Sequence, residues 1–236
     1  HSRQVGMCKA GQQFRAWEDT TRRHWSQPGA RPLSTVIWYP ADDAAQEADE
    51  PLGAPEPLFL LRGVAHDAPL RSIPQAFPVV LLSHGTGGSA LQLGWLGRAL
   101  AARGYVVAAV NHHGNTSREP YLPHGFLLWW ERAKDLTAVP VHVVVTEGDA
   151  ETPPRLNGCR YAQLIANAEL THIEGPAGHY VFLAEATAAG RKALPELCAD
   201  DPTVDRRALH ERVASLAGTF FDEALVNGPA NQSARA

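Results

Sequence analysis

The sequence predicts an α/β protein with a mostly parallel sheet and helices on both faces. Three continuous apolar segments, 77–83, 105–110 and 139–145, are typical of strands that are covered on both sides. Segments with helical spacing of apolar residues separate them, and strands that alternate with helices form parallel sheets. Ligands in such sheets bind beyond the carboxyl ends of the strands, so we expect the function in the loops that follow these segments.

Composition bounds the class of protein. The chain has 236 residues, 44% hydrophobic and 19% charged, which excludes a disordered protein. With 21 Lys+Arg and 25 Asp+Glu, the net charge of −4 gives no electrostatic reason to expect a nucleic-acid partner. No apolar run approaches the ~20 residues of a membrane span. We expect a single domain over residues 1–236, and the sequence does not indicate its oligomeric state.

The cysteines and the first residue are the features of the sequence that relate to the cellular location of the protein. Cys8, Cys159 and Cys198 lack zinc-site spacing, which leaves either one disulfide with a free thiol or three small buried side chains. The chain starts at His1 without an apolar leader. An exported, processed protein would start in this way, so we expect a periplasmic or secreted location. A boundary drawn at an arbitrary point would look the same.

The elements follow in order from composition and periodicity. The first half predicts an irregular polar segment at 1–30 with a hairpin anchored by Trp17 and Trp25, a strand at 33–39, an exposed loop at 41–57, a strand at 77–83, a glycine-rich turn at 84–89, a helix at 90–103 and a strand at 105–110. The second half predicts a helix at 126–136, a strand at 139–145, a short helix at 161–166, a strand at 169–173 and an amphipathic helix at 207–225.

Three of the loops at strand ends carry chemical groups. The turn HGTGGS at 84–89 can aim backbone N–H groups at one point, an arrangement that suits an anion or an oxyanion. Asp149 follows the strand at 139–145, and a carboxylate there can orient a histidine, although Glu147 and Glu151 could do the same. His179 stands in GPAGHY, and the pKa of an ordinary histidine suits a general base.

The segment FPVVLLSHGTGGSALQLGWLGRALAARGYVVAAVNHHGNT resembles the α/β-hydrolases known as predicted dienelactone hydrolases, which are similar to platelet-activating-factor acetylhydrolases. WYPADD, WERAKDL, TEGDAETPP and GPAGHYVFL also resemble this family. The resemblance implies oxyanion donors in the turn Gly85, Thr86 and Gly87, with the N–H of Thr86 foremost. It also implies that Asp149 is the acid and His179 the base of a catalytic triad.

The nucleophile of this family stands on G-x-S-x-G at a strained strand-to-helix turn, and no serine of this chain has that motif. The departure falls at 136/137, where the helix that carries WERAKDL runs directly into the lead-in to 139–145. A strand, the nucleophile elbow and a helix are missing there, roughly 30 residues by the size of such a unit. Three interpretations stay open: a segment absent from the given sequence, a real deletion, or another nucleophile such as Ser83 or Ser89.

The sequence therefore predicts a hydrolase that cleaves a carboxylic ester or lactone through an acyl-enzyme, with the nucleophilic serine outside the given chain. The alternative is a non-catalytic remnant of this fold that acts as a binding or interaction protein. We expect no cofactor and no metal. His112 and His113 are adjacent, and adjacent residues rarely ligate one ion, so we expect them to line a cleft or to be structural.

Overall fold

The computed structural model describes residues 7–53, 56–73, 77–128, 130–135, 142–156, 158–164 and 169–227. The chain divides into two compact units, unit 1 with residues 1–50 and 61–138, and unit 2 with residues 51–60 and 139–236. The α/β class is confirmed, whereas one domain over 1–236 stays a prediction. The join at 136/137 lies outside the described residues.

The described elements alternate along the chain. The strands are β1 (Lys9–Arg23), β2 (Ala30–Ala41), β3 (Ala48–Leu52), β4 (Phe59–His66), β5 (Val79–Ser83), β6 (Val106–Val110), β7 (His142–Thr146), β8 (Glu169–Ile173) and β9 (Glu185–Ala186). The helices are α1 (Gly94–Ala102), α2 (Pro123–Leu127), α3 (Glu131–Lys134), α4 (Gly158–Leu164), α5 (Ala188–Ala193), α6 (Pro195–Cys198) and α7 (Arg206–Asn227). Within the described ranges, no helix is long and apolar enough to cross a membrane.

The main sheet has the strand order β3-β4-β1-β2-β6-β5. β5 lies parallel to β6 and β4 lies parallel to β1, whereas β1 pairs antiparallel with β2 and β2 pairs antiparallel with β6. The sheet is thus mixed, because a long hairpin precedes the parallel strands. β5 stands at the end of this order, and its first residue, Val79, is 54% exposed.

Trp38 is the centre of the unit 1 core. Its side chain is completely buried, and its indole Nε1 donates to Gln12 Oε1 at 2.6 Å. Helix α1 crosses this indole with two glycines, and a Cβ on Gly97 would lie 2.2 Å from the Trp38 ring. The glycines therefore let the helix backbone touch the ring, a close approach that any larger residue would prevent.

Unit 2 contains a parallel pair of strands, β7 and β8, with His142 opposite Glu169 and Thr146 opposite Ile173. Helix α4 packs on both strands, and α7 contacts β7. Along α7, Val213 and Phe220 are buried as the sequence predicts, while Leu209 and Leu216 are half-buried and the side chain of Phe221 lies outside the described residues. The short β9 pairs with the first two residues of β4, both of which belong to unit 2.

Several sequence predictions differ from the structure. Residues 9–23 form a long strand rather than an irregular segment, and the expected loop at 41–57 contains β3. The sequence of β3, ADEPL, has too few apolar residues to alternate, and Arg62 and Gly63 interrupt the pattern of β4. The helix expected at 126–136 is two short helices, α2 and α3.

Gly97→Ala should lower the free energy of unfolding by about 1–3 kcal/mol, the usual cost of overpacking, since the added methyl meets the Trp38 indole. Urea unfolding measures this change. The matched experiment repeats the substitution in a Trp38→Phe background, which removes the contacted ring atoms. If the penalty is equally large without the indole, the close approach to Trp38 is not its cause.

Stability should fall in acid through His210. Its Nε2–H donates to Val181 O at 2.7 Å, and burial lowers the pKa of the folded histidine from 6.5 to about 4. Between these two values the unfolded chain binds a proton that the folded chain does not, so stability is lost as the pH falls from 6.5 towards 4, by up to about 3 kcal/mol. Denaturant unfolding at pH 7.5 and 4.5 measures this loss.

His210→Gln keeps a donor for the carbonyl and removes the titration, so this variant should show a shallower loss of stability in acid. The exposed His124→Gln is the control and should follow the parent chain. An unchanged acid dependence in His210→Gln would contradict the assignment.

Candidate active site

The predicted acid and base of unit 2 lie in the loops that leave two neighbouring parallel strands. Asp149 follows β7, where its N–H donates to Thr146 O at 3.2 Å and forms a turn. His179 lies beyond β8 and opens a 3₁₀ turn at His179–Phe182. The N–H of Glu147 donates to Ile173 O at 3.0 Å and ties the two strand ends together. Because parallel strands end at the same edge, both loops begin side by side.

Gly148 is the point of closest approach between these loops. A Cβ there would lie 2.6 Å from the carbonyl carbon of Pro176 and 2.8 Å from Ala177 O. Real Cβ atoms do not approach backbone this closely, so residue 148 has to be glycine if the loops are to keep this spacing. The contact brings Asp149 within reach of the histidine two residues after Ala177.

His179 and Asp149 form a hydrogen-bonded pair, with His179 Nδ1 2.9 Å from Asp149 Oδ2. Thr152 supports the carboxylate: its N–H donates to Oδ1 at 2.7 Å and its hydroxyl donates to Oδ2 at 2.6 Å. Burial raises the pKa of Asp149, but the hydrogen bonds from Thr152 and His179 outweigh it and the pKa is below its ordinary value. Asp149 is therefore ionised at neutral pH.

An ionised Asp149 holds the neutral imidazole as the tautomer with hydrogen on Nδ1, which leaves the lone pair on Nε2. In the described part of the chain no protein group hydrogen-bonds to Nε2 of His179, whose side chain is 37% exposed. The ring borders a cavity of about 230 Å³. The lining includes Gly148, Glu151, Gly178, Tyr180, Glu196 and Asp200. This arrangement can accept a proton from a group in the cavity.

The other two acidic residues of the loop do not contact the histidine. Glu151 Oε2 accepts the Tyr180 hydroxyl at 2.8 Å, and this hydrogen bond raises the pKa of Tyr180. Glu147 is exposed. Sequence reasoning identified neither Thr152 nor Tyr180 as part of this network, and the threonine three residues after Asp149, in DAET, was the available signal.

In unit 1, the predicted oxyanion turn follows β5. Gly87 has a φ of +69°, and its N–H donates to Asn115 Oδ1 at 2.6 Å, so this donor is already used. Tyr121 donates its hydroxyl to Gly87 O at 2.9 Å and fixes the turn from outside. Gly85 and Thr86 are exposed, and no acceptor for either N–H is found among the described residues.

Unit 1 also brings together three residues that sequence reasoning did not combine. Ser83 Oγ lies 2.8 Å from His112 Nε2, and His112 Nδ1 lies 2.7 Å from Asp135 Oδ2. The sequence offers Ser83 as an alternative nucleophile and His112 as a cleft-lining or structural residue, but it does not single out Asp135 in WERAKDL. A carboxylate near the end of the helical segment after NHHG was the only signal in the sequence.

His113 has other partners. Its Nδ1 lies 2.7 Å from Glu119 Oε1, and its ring packs on Trp25 with 5.3 Å between centroids. This role is structural. Within the described residues, no three His, Cys, Asp or Glu side chains are grouped in a way that would hold a metal ion.

Comparisons with known proteins agree with this architecture. The family "Platelet-activating factor acetylhydrolase, isoform II" matches residues 60–124. A ferulic acid esterase from Streptomyces cinnamoneus has a similar structure, with a TM-score of 0.62 and 18% sequence identity over 94% of this chain and 92% of that chain. No curated protein matches the sequence. The chain therefore has the α/β-hydrolase fold and resembles the platelet-activating-factor acetylhydrolases over residues 60–124.

Proposed function

We propose that the protein hydrolyses carboxylic esters or lactones, with His179 as the general base. The observation that carries this proposal is the 2.9 Å contact between His179 Nδ1 and Asp149 Oδ2 beside a cavity. A base of this kind needs a fixed tautomer, a free second nitrogen and access to a bound molecule. The similarity to an acetylhydrolase family and to an esterase supports the same reaction class.

In the proposed reaction, a serine hydroxyl attacks the ester carbonyl and His179 Nε2 takes its proton. The imidazolium then gives this proton to the alcohol as the C–O bond breaks, and water releases the acid in a second cycle. Asp149 keeps the proton on Nδ1 and stabilises the charged ring. The serine belongs to the G-x-S-x-G segment that the given sequence lacks, and the oxyanion role of Gly85, Thr86 and Gly87 stays a prediction.

A specific observation also favours the second candidate, a non-catalytic protein with this fold. No serine in the 236 residues has glycines two positions away on both sides. The mass of the intact natural protein separates the two candidates. A mass well above 25.5 kDa indicates an additional segment and favours the enzyme that uses His179, whereas a mass equal to 25.5 kDa leaves His179 without the G-x-S-x-G serine and favours the binding protein over that enzyme.

His179→Ala should lower the hydrolysis of a small activated ester such as p-nitrophenyl acetate by about 10²–10⁴-fold, since the proton acceptor is removed. Initial rates on the purified natural protein, with the segment that carries the G-x-S-x-G serine, measure the effect, and circular dichroism checks the fold. His172→Ala is the matched control because this histidine is also exposed in unit 2. Equal rates for the His179 variant and the parent chain would remove His179 from the mechanism.

Asp149→Asn should lower the same rate by about 10²–10⁴-fold, because an amide neither fixes the Nδ1–H tautomer nor stabilises the imidazolium. Glu151→Gln should change it by less than about 10-fold, since Glu151 bonds to Tyr180 and not to His179. The two substitutions remove one charge each from the same loop. If Glu151→Gln costs as much as Asp149→Asn, the loss reflects the charge of the loop and not the contact with His179.

A further inference from the structure

Unit 1 contains a serine, a histidine and a carboxylate in one hydrogen-bonded series, and none of them is a residue of the site proposed above. Ser83 is the last residue of β5, and His112 lies two residues after β6. The two strands are parallel neighbours, with Ser83 opposite Val110, so both residues come to the same end of the sheet. Asp135 directly follows α3 and closes the series on the far side of the imidazole.

The hydrogen bonds of this series run in one direction. Arg132 Nη2 donates to His84 O and, at 3.3 Å, also to Ser83 Oγ, so the serine oxygen accepts from the guanidinium and its own hydrogen is available to His112 Nε2, 2.8 Å away. His112 Nδ1–H donates to Asp135 Oδ2 at 2.7 Å. The backbone is also fixed, because His112 N–H donates to His84 Nε2 at 3.1 Å. The serine hydroxyl therefore faces a base whose tautomer is set.

The charges agree with this direction. Burial lowers the pKa of His112 more than Asp135 raises it, so the imidazole is neutral at neutral pH and its Nε2 lone pair faces the hydroxyl. Burial raises the pKa of Asp135, but the contacts with His112 and Arg22 outweigh it and the carboxyl is ionised. Arg22 Nη2 lies 2.6 Å from Asp135 Oδ1 as an ion pair. Arg132 adds a positive charge at the serine oxygen.

Ser83 differs from its partners in exposure. Asp135 and His112 have side chains that are 3% and 1% exposed, whereas Ser83 is exposed. A buried base next to an accessible hydroxyl is the arrangement that an activated serine requires.

We propose that Ser83 is a nucleophile that His112 activates and Asp135 positions, and that it reacts with activated carboxylic esters and fluorophosphonates. With an ester, Ser83 Oγ bonds to the carbonyl carbon while its proton passes to His112 Nε2, and the alcohol leaves with that proton. Water then attacks the acyl carbon, gives its proton to His112, and the acid leaves as the serine recovers its hydrogen. This reaction does not require His179.

A fluorophosphonate tests the proposal, since the Oγ–P bond forms as fluoride leaves and the adduct is permanent. The 236-residue chain is incubated with the probe at pH 7.5, and peptide mass spectrometry locates the adduct. We expect labelling at Ser83 and a fall of about 10²-fold or more in its rate in His112→Asn. The exposed strand residue Ser34, substituted as Ser34→Ala, is the control and should not change the rate.

Asp135→Asn tests the positioning residue through the pH profile of labelling. The groups that face His112 are Asp135, the ring of His84 at 4.9 Å between centroids and the guanidinium of Arg132, with Arg22 behind Asp135. Because Asp135 raises the pKa of His112, its removal should shift the rising limb of the profile to lower pH while it slows the plateau rate. A variant that only lost packing would label more slowly, but the rising limb of its pH profile would stay at the same pH.

Ser83→Cys avoids any substitution in the buried pair. A thiol at this position should be alkylated by iodoacetamide at least about 10-fold faster than the thiol of Ser34→Cys, because His112 and Arg132 favour the thiolate. Labelling of Ser83 that depends on His112 supports the proposal. No adduct on Ser83, an adduct that is independent of His112, or equal alkylation of the two thiols overturns it and leaves the series a structural network.

Discussion

The candidate site of unit 2 depends on the distance between two backbone segments at Gly148. With a Cβ position only 2.6 Å from the Pro176 carbonyl carbon, the loop after β7 lies directly against the loop after β8. Any side chain would push these loops apart by more than the tolerance of a hydrogen bond. The pairing of Asp149 with His179 and the border of the cavity follow from that contact, whereas the support by Thr152 is local to the loop after β7.

Sequence reasoning was most successful where the chemistry is local. The apolar segments at β5, β6 and β7, and the loops that carry Asp149 and His179, follow from runs of β-branched residues and from the glycines beside them. The strands β3 and β4 were not predicted. Their polar and glycine residues interrupt the alternation of apolar and polar side chains, and their place in the sheet depends on pairing with neighbouring strands. A local sequence pattern cannot show which distant strand will hydrogen-bond to the backbone of a given segment.

The same reason explains the missed residues of unit 1. Ser83, His112 and Asp135 are separated by 29 and 23 positions, and no spacing rule connects them. Their contact results from the parallel register of β5 with β6 and from the ion pair that holds Asp135 against Arg22. A buried carboxylate costs free energy unless it is paired, so the positions of Arg22 and His112 constrain where Asp135 can lie. Periodicity contains no information about such pairs.

The proposal for Ser83 rests on the position of β5 in the main sheet. This strand ends the described order of the main sheet, its side chains at Val79 and Ser83 are exposed, and the chain lacks the motif that supplies the nucleophile in the family it resembles. A strand added at the edge of β5 that no described strand occupies would pair with the β5 backbone and change the surroundings of Ser83. A chain with a segment inserted at 136/137 and the chain of 236 residues should therefore differ in the accessibility of this serine. The reactivity of Ser83 consequently reports on the edge of the sheet, whereas the contact between Asp149 and His179 lies wholly within unit 2 and forms from its own two loops.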